Sequence, residues 1–228
     1  MNSNDYVSIL NQIKDKSKVD IHGGDVDDKV LLIDGLNTFI RVFSVFPSTN
    51  ENGIHVGGIV GFFRSIGYAI RMLAPTRVVI VFDGKGGSTR RRKFYPEYKE
   101  RRRGSIRVNR AEGLDSDDEK INMITQLKRL LNYLELLPIS VVSVDNIEAD
   151  DVIGYCAKHI FKGSKSTIMS TDKDFLQLID ENIRVYSPTK KKMYDEEKVV
   201  EEYGISSHNF LLYRMLDGDV SDSIPGVK

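Results

Sequence analysis

Val30-Leu-Leu-Ile-Asp34 and Val78-Val-Ile-Val-Phe-Asp83 are two short apolar runs, each of which ends in an aspartate. Their β-branched, nearly unbroken hydrophobicity is typical of strands that are buried on both faces of a parallel sheet. Each run therefore predicts a strand that delivers a carboxylate to the carboxyl edge of the sheet. Open α/β sheets bind their ligands outside that edge.

Further carboxylates fall where a predicted strand ends or a predicted helix begins: Glu148, Asp150, Asp151, Asp172, Asp174, Asp219 and Asp222. Taken singly, each cluster has helix capping or an ordinary Asp-rich turn as its alternative explanation. Four clusters that a parallel sheet brings to one edge are harder to explain as independent caps. Because no thiolate or imidazole accompanies them, converging carboxylates favour Mg²⁺ or Mn²⁺ over zinc.

The remaining pattern predicts one α/β domain, with a central, mostly parallel twisted sheet and helices on both faces. Helical periodicity covers residues 37–46, 56–73, 116–137, 195–203 and 208–216, and a further helix starts at 175–179. Additional strands are predicted at 139–144, 167–170 and 183–186, the last as an edge strand. Residues 1–28 look like a separate N-terminal extension, either a short helix or a mobile tail, and residues 29–228 form the predicted catalytic domain.

Composition sets broader limits. A chain of 228 residues with 40% hydrophobic residues suffices for one large soluble domain. The single cysteine, Cys156, excludes an intramolecular disulfide framework and fits a reducing cytoplasm. No apolar run approaches the roughly 18 to 20 residues that a membrane span needs, so we expect no membrane partner.

Charge is strongly segregated although the net charge is zero. Residues 85–110 contain eleven Lys or Arg residues against only Glu97 and Glu100. Such a block neutralises nucleic-acid phosphates, and its aromatic residues offer faces on which bases stack. A solvated charged loop is the alternative. The position of the block directly after the Asp83 strand favours DNA or RNA.

These motifs together resemble the 5′ nuclease family, which includes flap endonucleases, the 5′-3′ exonuclease domain of bacterial DNA polymerase I and bacteriophage RNase H-type enzymes. The resemblance runs from about residue 29 to the end of the chain. It rests on six motifs in the same order: Leu31-Leu-Ile-Asp-Gly35, Val81-Phe-Asp83, Tyr95-Pro-Glu-Tyr-Lys99, Glu148-Ala-Asp-Asp151, Ser170-Thr-Asp-Lys-Asp174 and Gly218-Asp-Val-Ser-Asp-Ser-Ile-Pro-Gly226.

The resemblance implies roles for individual residues. Two Mg²⁺ ions, for which Mn²⁺ can substitute, are expected at the edge. The first is implied to be held by Asp34, Asp83, Glu148, Asp150 and Asp151, and the second by Asp172, Asp174, Asp219 and Asp222. The residues implied to act in catalysis are Asp83, Asp151, Lys99 and Arg102. Segment 84–115 is implied to be a basic helical arch that passes a single-stranded 5′ end and contacts nucleic acid through Arg90, Arg91, Arg92, Lys93, Lys99, Arg102 and Arg103. Tyr98 is expected either to stack on a base or to pack the foot of the arch.

The implied activity is hydrolysis of DNA flaps or RNA primers by a monomeric, cytoplasmic 5′ nuclease during replication or repair. Implied partners are DNA or RNA/DNA with a free 5′ end, and replication proteins such as a single-strand-binding protein or a sliding clamp. Residues 217–228 resemble the start of a helix-hairpin-helix-type duplex-binding region, expected to be truncated here, which often binds K⁺. A PIN-type ribonuclease and a non-catalytic DNA-structure-binding module remain the alternatives.

Overall fold

The computed structural model describes residues 8–9, 11–12, 27–100 and 116–227. The strands are β1 Lys29–Asp34, β2 Arg77–Phe82, β3 Ser140–Ser143, β4 Lys165–Met169, β5 Ile183–Ser187 and β6 Lys192–Tyr194. The α-helices are α1 Gly35–Phe43, α2 Gly57–Leu73, α3 Thr89–Phe94, α4 Ser116–Leu134, α5 Ala149–Tyr155, α6 Glu196–Tyr203 and α7 Phe210–Asp217. Helix α5 continues as a π-helical turn, Cys156–Ile160, and two 3₁₀ helices span Lys173–Leu178 and Ser207–Asn209.

The strands form one sheet in the order β3-β2-β1-β4-β5-β6. Strands β1 to β5 are parallel to their neighbours, and β6 is antiparallel to β5. The predicted α/β class with a mostly parallel sheet is thus confirmed. The chain leaves β1 on one side towards β2 and β3 and returns on the other side as β4 and β5. This reversal of strand order places a ligand crevice at the carboxyl ends of β1 and β4.

Both faces of the sheet are buried, as the apolar runs predict. Leu31 and Ile33 pack with α1, α2 and α4 on one face, whereas Val30 and Leu32 pack with α5 and the later helices on the other. The alternation follows from the two-residue period of a strand. The sheet and the helices on its two faces form three layers. Because β1 to β4 are parallel, their carboxyl ends meet at one edge of the sheet.

Several predicted element boundaries are wrong. Strand β5 is not an edge strand, because β6 pairs with it through Tyr186 and Met193. Helix α4 ends at Leu134 rather than at residue 137. The segment predicted to start a helix at 175–179 is instead the 3₁₀ helix Lys173–Leu178. Strand β6 has only three residues, too few to show the alternation on which strand prediction depends.

Part of the N-terminal extension belongs to the core, contrary to the prediction of a separate prefix. Residues 8, 9, 11 and 12 are helical, and Ile9 is only 1% exposed, within the cluster that covers Leu31 and Phe39. We expect Ile9→Ala to destabilise the domain by roughly 2 to 4 kcal/mol, because it removes a buried aliphatic side chain. Asn11→Ala, at an exposed position of the same turn, is the matched control. Denaturant unfolding of both variants measures the difference, and equal free energies of unfolding would contradict core packing by the extension.

Within the described residues, no helix is long and apolar enough to cross a membrane.

Candidate metal and nucleic-acid site

The carboxyl edge of the sheet carries acids from four neighbouring parallel strands. In spatial order, Glu148 follows β3, Asp83 follows β2, Asp34 ends β1 and Asp172 follows β4. Asp150 and Asp151 lie in the first turn of α5, and Asp174 lies in the 3₁₀ turn after β4. The structure therefore brings to one edge the acids that the sequence scatters over more than a hundred residues.

Short hydrogen bonds fix the carboxylates nearest the centre. Asp34 Oδ1 accepts the Asn37 amide at 3.0 Å and caps α1, and Ser170 Oγ donates to Asp34 Oδ2 at 3.3 Å. Asp83 Oδ1 accepts a hydrogen bond from the Ala149 amide at 2.8 Å and so caps the start of α5. Capping and ion binding are compatible here, because each hydrogen bond uses one acceptor site and the two oxygens of a carboxylate offer about four.

The loops that carry Asp83 and Glu148 approach each other closely. The Gly84 amide donates to Ile147 O at 3.0 Å. A Cβ atom at Gly84 would lie 1.7 Å from the Val144 carbonyl oxygen, so only glycine fits there. This contact fixes the position of Asp83, after β2, relative to that of Glu148, after β3.

Basic side chains from segment 84–100 reach directly into the first group of acids. Lys99 Nζ lies 2.6 Å from Glu148 Oε1, and the Arg91 guanidinium contacts the other oxygen of Glu148. Arg91 also lies 2.9 Å from Asp151 Oδ1 and 3.4 Å from Asp150 Oδ1. Lys99 therefore lies directly against the acidic edge. Arg91, expected to contact nucleic acid, is directed at the acids in this structure.

Tyr98 is buried at the foot of this segment. It is 5% exposed, its hydroxyl donates to Glu148 Oε2 at 2.9 Å, and its ring lies beneath the charged ends of Lys99 and Arg91. Burial and the nearby Asp222 carboxylate raise the pKa of its hydroxyl. The structure favours the packing alternative over base stacking for this residue.

The aromatic residue that is open to solvent in the basic segment is Phe94, which the sequence analysis did not select. Its side chain is 83% exposed in α3, beside the exposed Arg90 and Lys93, whereas Arg92 is half-buried. An exposed aromatic among basic residues is the arrangement on which single-stranded bases stack. Exposure, which the sequence does not reveal, distinguishes Phe94 from Tyr98. The predicted Arg102 and Arg103 and the rest of 101–115 lie outside the described residues.

Asp172 and Asp174 of the second group follow β4, on the other side of Asp34 from Asp83. Asp172 Oδ1 accepts the Asp174 amide at 2.9 Å, while Asp219 and Asp222 come from a tight turn after α7 that closes between Asp219 and Ile224. Lys99 N donates to Asp222 O at 2.9 Å and so ties this turn to the basic segment. The two groups are therefore parts of one connected site.

Buried carboxylates interact with one another at the centre of the edge. Burial, together with the carboxylates of Asp83, Asp172 and Asp150, raises the pKa of Asp34 to about 7. Burial also raises the pKa values of Asp150 and Asp172, with contributions from neighbouring carboxylates. A half-buried cluster of carboxylate oxygens that repel one another is stabilised by a hard divalent cation. The residues present fit such an ion.

In this arrangement of side chains, no three His, Cys, Asp or Glu residues of the described part of the chain form a ready ligand set. Instead, Arg91, Lys99 and Arg214 lie against the acids as internal counter-cations. Binding of an ion at this edge would therefore require these side chains to move.

The raised pKa of Asp34 predicts how stability depends on pH. An unfolded aspartate titrates near pH 4, roughly its reference value, whereas folded Asp34 titrates at about 7. Between these values the folded state holds more protons, so the free energy of unfolding of metal-free protein falls as pH rises. Asp34→Asn, which cannot ionise, should lose the part of this dependence that Asp34 contributes and gain on the order of 4 kcal/mol over the native chain at pH 8. Thermal melts from pH 4 to 8 test this, and parallel profiles would contradict it.

An α/β sheet with acids from four parallel strands at one edge defines a PIN-like domain. A family model described as 5′-3′ exonuclease, N-terminal resolvase-like domain, matches residues 29–204. The chain belongs to this 5′ nuclease family.

Curated relatives agree. The 5′-3′ exonuclease of Aquifex aeolicus is 32% identical over 199 residues, which are 86% of this chain and 64% of that protein. DNA polymerase I of Borreliella burgdorferi is 31% identical over 206 residues, which are 88% of this chain and 21% of that protein. The chain therefore spans less than two thirds of the length of these relatives.

Solved structures show the same fold. The bacteriophage T5 protein crystallised with metal ions superposes with a TM-score of 0.65 at 19% identity, over 88% of this chain and 70% of that one. The bacteriophage T5 flap endonuclease in a pseudo-enzyme-product complex with DNA and metal ions gives a TM-score of 0.66 at 19% identity, with the same coverage. At this level of identity the likeness concerns the fold alone.

Proposed function

We propose that this chain is the catalytic domain of a divalent-metal-dependent 5′ nuclease, which hydrolyses phosphodiesters near the free 5′ end of DNA or RNA/DNA. One observation carries the proposal. Acids from four parallel strands meet at one sheet edge, and Lys99 and Arg91 of a strongly basic segment lie directly against them. Relatives named 5′-3′ exonuclease and a related fold bound to DNA and metal ions support it.

Two groups of oxygen donors would hold two Mg²⁺ ions, and Mn²⁺ suits the same oxygens. Asp34, Asp83, Glu148, Asp150 and Asp151 would form the first group, and Asp172, Asp174, Asp219 and Asp222 the second. Bound divalent ions at such a site activate water and stabilise the charge on the reacting phosphate.

The chain's own cations complete the site. A phosphate at the acidic edge competes with Glu148 for Lys99, which then donates a hydrogen bond to the oxygens on which negative charge develops. Arg91 contacts Glu148, Asp150 and Asp151 and keeps these acids together until substrate arrives. Arg102 is proposed to assist Lys99. The expected products carry a 5′-phosphate and a 3′-hydroxyl.

The basic segment 84–115 is proposed to guide the 5′ end across the edge. Exposed Arg90, Lys93 and Phe94 supply phosphate contacts and a stacking face in its described part. Residues 217–228 are proposed to begin the duplex-binding region, with K⁺ as its ion. A single-strand-binding protein or a sliding clamp as partner, a monomeric state and a cytoplasmic location stay predictions.

The substrate class is tested with three labelled substrates in Mg²⁺: a 5′ DNA flap, the same flap with its 5′ end blocked by a bulky conjugate, and a folded RNA without a free 5′ end. We expect cutting of the open flap near its junction and at least about tenfold slower cutting of the blocked flap, because the basic segment engages the 5′ end. Preferred cutting of the RNA would favour the PIN-type ribonuclease. Tight binding without turnover would favour the binding module.

A further inference from the structure

Arg214 of α7 joins the two halves of the second acidic group. Its Nε lies 2.6 Å from Asp174 Oδ1, and its Nη2 lies 2.6 Å from Asp219 Oδ2. Its Nη1 donates to the Gly218 carbonyl at 3.1 Å. The side chain is 16% exposed. Three acceptors therefore hold the guanidinium in a largely covered position.

The two aspartates that Arg214 joins belong to different segments. Asp174 lies in the 3₁₀ turn after β4, and Asp219 lies in the turn after α7, 45 positions later in the sequence. The turn after α7 is closed on itself by the Asp219–Ile224 backbone pair. Asp219 Oδ1 accepts from the amide and hydroxyl of Ser221, which leaves Oδ2 for Arg214. Arg214 is therefore the side-chain link between these two acids.

The positive charge of Arg214 also affects how a divalent ion would bind to these acids. The charge of Asp172 interacts with those of Asp174 and Asp222, and Arg214 joins Asp219 to Asp174. A guanidinium keeps its positive charge at any working pH. Arg214 thus neutralises part of the same charge that a divalent ion would neutralise. Two cations that share carboxylate oxygens in a partly buried site weaken each other's binding.

We propose that Arg214 is a positioning residue that holds Asp174 and Asp219 together in the metal-free protein and competes with a divalent ion for them. It thereby lowers and sets the ion affinity of the second acidic group. This inference rests on the proposed function, because it concerns the same acids.

Calorimetric titration of the metal-stripped full chain with Mn²⁺, in the absence of nucleic acid, tests the competition. The chain is compared with Arg214→Gln, which removes the charge, and with Arg214→Lys, which keeps it. Arg71→Gln is the matched control, because Arg71 is an exposed arginine in the last turn of α2, near the opposite edge of the sheet. The weaker of the two Mn²⁺ sites is assigned to the second acidic group, whose ion affinity Arg214 lowers. We expect this site to bind Mn²⁺ on the order of tenfold more tightly in Arg214→Gln, and we expect its affinity to change little in the other two variants.

Unchanged or weaker Mn²⁺ binding in Arg214→Gln would overturn the proposal, since a purely structural link lowers stability without improving ion affinity. Absence of divalent binding by the native chain would overturn the proposed function as well. Native binding without a change in the variant overturns only the role of Arg214.

A second measurement on the native chain does not depend on the folding of any variant. The side-chain Nε–H resonance of Arg214, assigned by nuclear magnetic resonance, is followed during a Mg²⁺ titration. The proposal predicts that this resonance shifts with the midpoint of the weaker site, because the bond to Asp174 is released. A resonance that stays in place at saturating Mg²⁺ contradicts it.

Discussion

Asp83→Asn is expected to reduce Mg²⁺-dependent cleavage by at least about 10³-fold while the domain stays folded. Asp83 lies between the acids of β1 and β3, and its charge acts on Asp34. In the proposed function, Asp83 helps to hold the first ion at the centre of the edge. Losing one such electrostatic contact to a reacting phosphate costs roughly 10² to 10³ in rate, and an ion ligand costs more when its ion is lost. Asparagine keeps an oxygen that accepts the Ala149 amide, so the start of α5 keeps its cap.

The measurement is the single-turnover rate of flap cleavage at saturating enzyme, together with the melting temperature. Asp195→Asn is a matched control, because Asp195 caps α6 through the Lys198 amide at 3.0 Å and the same substitution there keeps the acceptor. We expect the control to cut at the native rate. Cleavage by Asp83→Asn within about tenfold of the native rate would show that the acidic edge is not where the ion acts.

Lys99→Met is expected to reduce the maximal single-turnover rate by roughly 10² to 10³-fold, with a smaller change in the substrate concentration that gives half the maximal rate. Lys99 Nζ is 2.6 Å from Glu148 at the acidic edge, so the proposed function has its charge act on the reacting phosphate rather than on the bulk of the nucleic acid. Methionine preserves the length and most of the apolar contact of the side chain against Tyr98.

Rates measured over a range of flap concentrations separate the two parameters. Lys158→Met removes a lysine that pairs with Asp180 at 2.8 Å outside this site, and it should leave both parameters unchanged. A loss confined to substrate binding in Lys99→Met would assign Lys99 to general phosphate binding and contradict a role at the reacting bond.

The sequence predicted the acidic edge because parallel strands share one direction. Once β1 and β2 were identified as buried strands, Asp34 and Asp83 had to emerge at the same edge. The other acids were found where a predicted strand ends or a predicted helix begins, and the resemblance to the family added Lys99. These positions follow from local patterns and strand direction, so a sequence without coordinates sufficed for them.

Contacts between side chains that are distant in the sequence could not be predicted from it. Arg214 lies in the apolar segment Phe210–Asp217 and carries no local sign that it binds Asp174 and Asp219. Arg91 could not be told from its exposed neighbour Arg90 until α3 fixed its direction. Likewise, Tyr98 and Phe94 are equivalent as aromatic residues in a basic block, and only burial separates them. Such distinctions arise from tertiary packing, which composition and spacing do not encode.

The proposed function requires that the carboxyl edge of this sheet cuts phosphodiesters with bound divalent ions. Cleavage of a doubly labelled 5′ DNA flap by metal-stripped protein, before and after addition of Mg²⁺, tests this. We expect no cutting without the ion, cutting near the flap junction with it, and products that carry a 5′-phosphate and a 3′-hydroxyl. Equal cutting with and without Mg²⁺, or a folded chain that binds Mg²⁺ and the flap yet cuts nothing, would contradict it.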